Sequence, residues 1–112
     1  DAASDRLFVY GTLRAGSPHP MAGFLAARAQ RLGGASCAGR LLDCGDYPGL
    51  VEAEDRSARV AGELWELAAP AAPTWAALDA YEGCAEGLFE RVRRAVKLAD
   101  AGGELEAWVY VY

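Results

Sequence analysis

The chain has 112 residues, 53% of them hydrophobic and 24% charged, with a net charge of −5. This is the composition of a globular domain long enough to bury a core without staples, not of a disordered tail. It offers no clustered basic face for nucleic acid, and no apolar run near the roughly 18 residues that a membrane span needs. Residues 1–5 are a polar lead-in expected to fray. Residues 7–10, Leu-Phe-Val-Tyr, are a bulky apolar run and read as a buried strand, which Gly11 breaks. Pro18 and Pro20 keep the following segment irregular, and residues 21–29 place Met21, Phe24, Leu25 and Ala29 at helical spacing. Gly33-Gly34 is expected to end that helix.

Residues 36–44 form the second strand candidate, with Leu41 and Leu42 in its middle. Asp46-Tyr47-Pro48-Gly49 is a turn by composition, Leu50-Val51 a brief strand, and residues 53–57 a charged hairpin tip. Residues 59–67 alternate as a strand does, with Val60, Gly62, Leu64 and Glu66 opposite Ala61, Glu63, Trp65 and Leu67. An Ala/Pro linker over 68–73 leads to Thr74 as the expected N-cap of a helix reaching Tyr81, with Gly83 placed to stop it. Residues 89–98 and 105–112 are two further strands, joined by a tight turn at 100–103 into a hairpin. Small strand-rich chains avoid open edges by curling up. The expectation is an α+β domain over residues 1–112, a small mixed β-barrel flanked by short α-helices.

Few residues are placed to do chemistry. Gly11 lets the backbone turn so that successive N–H groups form an anion-binding nest, with Thr12 and Arg14 at its mouth. The same pattern is that of a plain strand entering a loop. Cys37, Cys44 and Cys84 form no Cys-x-x-Cys pair, and with the single His19 they leave no zinc spacing. No metal or cofactor is expected, and a reducing, cytoplasmic setting is the simplest. No positively charged start leads into an apolar stretch, so no secretory signal is expected, although the chain opens on Asp1 rather than Met. A Cys84/His19 nucleophilic pair lacks any local signature. Among the carboxylates, Glu82 stands at a helix end beside Gly83, where the helix dipole and partial burial would raise its pKa. It reads equally as a solvated helix-end residue. Glu63 and Glu66, in a central-looking strand, are its rivals.

Five segments in order carry a resemblance. Phe8-Val9-Tyr10-Gly11-Thr12-Leu13-Arg14-Ala15-Gly16 resembles the opening signature of the γ-glutamylcyclotransferase-like superfamily. Asp46-Tyr47-Pro48-Gly49-Leu50 is similar to its Tyr-Pro-Gly turn, and Val60-Ala61-Gly62-Glu63-Leu64-Trp65 to its Val-x-Gly-Glu strand. Leu78-Asp79-Ala80-Tyr81-Glu82-Gly83, followed by Phe89-Glu90-Arg91-Val92, is similar to its Leu-Asp-x-x-Glu-Gly segment and the strand after it, and Ala107-Trp108-Val109-Tyr110-Val111 suits its closing strand.

The resemblance implies a barrel with a cavity at one end, and cleavage of a small γ-glutamyl amide by cyclisation to 5-oxoproline and a free amine. It implies Glu82 as the catalytic residue and Tyr10, Gly11, Thr12 and Leu13 as the loop that holds substrate. The Glu-Gly-Cys form suggests the γ-glutamylamine branch. Two positions depart from the pattern: Ser17-Pro18-His19 puts a histidine where relatives often carry asparagine, and Phe89 replaces a tyrosine. Tyr47 and Tyr110 read as core or as cavity lining. A non-catalytic binding or interaction module that keeps the cavity is the alternative. It would have no need of a partly buried carboxylate with a raised pKa.

Overall fold

Alternation of bulky side chains decides the architecture. In a computed structural model of the chain, which describes residues 5–10, 20–43, 48–55, 57–85, 87–99 and 103–112, β1 (Arg6–Val9) sends Phe8 to one side and Leu7 and Val9 to the other. β5 (Arg59–Leu67) sends Val60 and Leu64 to the side of Phe8, and Trp65 and Leu67 to that of Leu7 and Val9. Both strands therefore bury both faces, which requires a second layer outside the sheet.

The sheet closes on itself. β1 pairs with β5, β5 with β2 (Ala29–Ala38), β2 with β6 (Glu90–Leu98) and β6 with β7 (Glu104–Val111), all antiparallel. Parallel pairing of Leu7 with Trp108 and of Phe8 with Val109 joins β7 back to β1. The result is a closed five-strand mixed barrel, as expected from the sequence. A hairpin of β3 (Arg40–Asp43) and β4 (Pro48–Val51) hangs from β7 by the pair Leu50–Val111.

Phe8, Cys37, Val60, Leu64, Val96 and Val109 fill the barrel interior. Outside it, Leu25 of α1 (Pro20–Arg28) and Trp75 and Leu78 of α2 (Ala72–Tyr81) cover Leu7, Val9, Trp65 and Leu67. Leu78 is fully buried, which stabilises the docked helix by about 2 kcal/mol. Gly62 sets how closely β5 can approach β1. A Cβ there would overlap the Val9 carbonyl oxygen and lie 2.7 Å from the Phe8 ring.

Three expectations are corrected. Gly33-Gly34 does not end a helix: α1 stops at Arg28, and both glycines lie inside β2, at a register shift between Arg31 and Gly33. Pairing of β2 along β5 overrides the glycines' weak strand preference. The strand expected over 36–44 is broken at Gly39 into β2 and β3. Thr74 does not cap α2 but lies buried inside it; Ala71 takes the cap position with no side-chain hydrogen bond, and Pro73 sits in the first turn, where its missing N–H has no partner to lose.

Candidate active site

Glu82 sits at the C-cap of α2, with φ −80° and ψ −3°, and its N–H donates to the Leu78 carbonyl at 2.9 Å. The chain then turns sharply. Gly83 adopts φ +70°, a left-handed conformation that suits glycine, and its N–H donates to Ala80 O at 3.2 Å. The turn closes through Cys84 N–H to Asp79 O at 3.1 Å and Leu88 N–H to Gly83 O at 3.1 Å. The Glu82 side chain is half-buried, and burial pushes its pKa from 4.5 up to about 7. Among the described residues nothing hydrogen-bonds its carboxyl group.

The rival carboxylates are engaged or exposed. Glu63 pairs with Arg31 at 3.0 Å and accepts from the Trp65 indole N–H at 3.3 Å, and Glu66 is exposed. The surroundings of Cys84 favour the thiol: burial raises its pKa first and the charges of Asp79 and Glu82 raise it further, against a smaller lowering by Arg91. Its sequence partner His19 lies outside the described residues, as do Gly11, Thr12, Leu13, Arg14, Cys44 and Tyr47. Among the described residues, no group of three or more His, Cys, Asp or Glu side chains is placed to hold a metal ion.

Tyr10 is the one residue of the expected substrate loop within the described segments. Its hydroxyl donates to the Tyr110 carbonyl and accepts the Leu50 N–H at 3.0 Å, which ties the end of β1 to β7 and β4. Tyr110 in turn reaches the helix. Its hydroxyl donates to Asp79 Oδ1 at 2.6 Å, three residues before Glu82. Asp79 also accepts two bonds from Arg91, Nε to Oδ1 at 2.8 Å and Nη2 to Oδ2 at 3.1 Å. The Arg91 guanidinium rests on the rings of Trp75 and Trp108, at 4.4 and 4.8 Å from their centroids.

Sequence reasoning missed the Asp79–Arg91–Tyr110 network. The available signal was Arg91 following the bulky Phe89 on one face of the 89–98 segment, with Arg93 and Ala95 exposed beyond it. Tyr110 is a core residue, 3% exposed, whose hydroxyl donates to Asp79. Phe89 is also buried, edge-on to Tyr112 at 5.5 Å, so this departure is absorbed by apolar packing. A groove of about 670 Å³, lined by Cys84, Leu88, Phe89, Trp108 and Tyr112, runs beside the turn, and Glu82 does not line it.

Residues 7–112 match the family described as gamma-glutamyl cyclotransferase, AIG2-like. The chain belongs to this γ-glutamyl cyclotransferase family. It is 37% identical over 109 residues to a gamma-L-glutamyl-butirosin B gamma-glutamyl cyclotransferase from Niallia circulans, covering 95% of this chain and 65% of that protein. The chain thus spans less than two thirds of the length of this relative. The crystal structure of an AIG2-like protein from Mus musculus superposes with a TM-score of 0.78 at 23% identity, covering 96% of this chain and 76% of that one. An uncharacterized protein from Pyrococcus horikoshii gives a TM-score of 0.63 at 24% identity, covering 96% and 78%. These two likenesses establish the fold that the chain shares with them.

Proposed function

We propose that the chain cleaves a γ-glutamyl amide by cyclisation, releasing 5-oxoproline and a free amine, with Glu82 carrying the protons. The observation that supports this reading most is the half-buried Glu82 carboxyl group, pushed by burial to a pKa of about 7. Near neutral pH such a group is present in both forms and can both accept and return a proton.

The reaction needs little else from the protein. The substrate's α-amine is tethered to the carbonyl that it attacks, so folding the chain into a five-membered ring replaces a bimolecular encounter. The ionised Glu82 takes a proton from the α-ammonium. The freed nitrogen attacks the δ-carbonyl carbon, and the bond from that carbon to the leaving nitrogen breaks as the carbonyl re-forms. Over the reaction the α-nitrogen loses two protons, and the leaving nitrogen, becoming an ammonium, gains two. One carboxyl group can ferry them in turn, and no water is consumed.

In this reading Tyr10, Gly11, Thr12 and Leu13 hold the γ-glutamyl half, whose α-carboxylate and developing oxyanion both call for hydrogen-bond donors. The γ-glutamylamine branch is the assignment that the Glu-Gly-Cys segment favours. The relative from Niallia circulans is named for a γ-glutamyl group carried on a larger amine. The half held by the loop is the same in either case. Product analysis by mass spectrometry tests the reaction type: 5-oxoproline and free amine in equal amounts are expected, whereas free glutamate would mean hydrolysis and overturn it.

A further inference from the structure

We infer that Tyr110 is a positioning residue that registers the base-carrying turn of α2 against the end of β1. The inference rests on the reading of Glu82 as the base. Tyr110 does this with two different oxygens. Its hydroxyl donates to Asp79 in the last turn of α2, and its backbone carbonyl accepts from the Tyr10 hydroxyl at the end of β1. One residue of β7 is thereby bonded to both elements.

The arrangement is stiff at each point. Tyr110 and Arg91 face each other in register across β7 and β6, and both converge on Asp79 Oδ1. Asp79 thereby has one oxygen held twice and the other held once, which leaves its helix turn little freedom to rotate. Glu82 follows within that turn, its N–H bonded to Leu78 O and the next residues folded back on Asp79 O through Cys84 N–H. With no described hydrogen bond to its own carboxyl group, Glu82 takes its position from the turn. Proton transfer demands that position: a displacement of about 1 Å costs on the order of 100-fold in rate.

Tyr110→Phe removes the bond to Asp79 and leaves the carbonyl to Tyr10 in place. Loosening the turn should also admit water to the Glu82 carboxyl group, so the rise of kcat with pH should move below its parental midpoint. The charged and titratable residues of this turn, Asp79, Tyr81 and Cys84, and Arg91 facing it from β6, are all retained in this variant. The experiment follows 5-oxoproline release across pH for the parent, Tyr110→Phe, Asp79→Asn, Glu82→Gln and, as a control, Val96→Ala in the barrel interior. A roughly 10-fold fall in kcat is expected for Tyr110→Phe, with KM within about twofold and the midpoint lowered. Val96→Ala should lose stability and keep both kcat and midpoint. Asp79→Asn, which also removes a charge beside the turn, should reproduce the fall in kcat, and that fall serves if Tyr110→Phe does not fold. Loss of activity in Glu82→Gln together with an unshifted kcat and midpoint in Tyr110→Phe overturns the positioning role alone. Parental activity in Glu82→Gln removes the base, and the inference with it.

Discussion

Arg91 grips Asp79 with two guanidinium nitrogens, at 2.8 and 3.1 Å, and so fastens the last turn of α2 to the barrel wall. The pair is partly open to solvent, with 25% and 31% of the two side chains exposed, so its Coulombic share is small. Geometry is what it supplies: a planar fork matched to a carboxylate, lying on two indole rings. Arg91→Lys keeps the charge and loses the fork and the stacking. It should lower stability by about 1–2 kcal/mol, read as a lower urea midpoint at unchanged slope. A variant as stable as the parent would show that charge alone holds the turn.

Burial of Glu82 makes a prediction independent of catalysis. Its pKa is raised on folding, from 4.5 to about 7, so the folded chain keeps a proton that the unfolded chain releases between those values. Stability from this group is therefore complete below pH 4.5 and declines as pH rises to about 7, where the folded state must hold the charge. After allowance for solvent at a half-buried group, the loss is about 2–3 kcal/mol. Glu82→Gln should abolish the decline and be the more stable protein above pH 7. Thermal melts of both proteins from pH 4 to 8 give the comparison, and parallel curves would mean that the carboxyl group is solvated.

Two glycines should respond in opposite ways. Gly62→Ala drives a methyl group into the Val9 carbonyl oxygen and the Phe8 ring, where the barrel is closing. A cost of about 3 kcal/mol or more is expected, enough to prevent folding of a small domain. Gly34→Ala meets only the Ala99 methyl at 3.9 Å, an ordinary contact, and should be neutral or stabilising by up to about 1 kcal/mol. Expression and melting temperature of the two variants test this, and similar behaviour would contradict the strand assignment at Gly34.

That contrast also shows what could be read from the sequence. β5, β6 and β7 were legible because alternation over eight or nine residues is a strong local signal. Gly33-Gly34 was misread because glycine pairs are punctuation in isolation, and only the partner strand shows that this pair continues a strand. Thr74 reads as a cap because of its hydroxyl, although α2 already begins at Ala72 and Thr74 lies buried within it. Physics alone left Glu82 balanced between a solvated and a working carboxylate. The Leu-Asp-x-x-Glu-Gly resemblance singled it out, and burial against the barrel supplies the physical reason for its raised pKa. The Asp79–Arg91–Tyr110 network spans residues 12 to 31 positions apart, and no local pattern encodes such contacts.

The most direct test of the central claim is 5-oxoproline release from a panel of γ-glutamyl amides by the parent and by Glu82→Gln. The account predicts release from at least one amide by the parent and a fall of roughly 1,000-fold or more in the variant, as expected when a general base is removed. Equal release by the two proteins, or no release from any amide while both bind γ-glutamyl compounds alike, would contradict it.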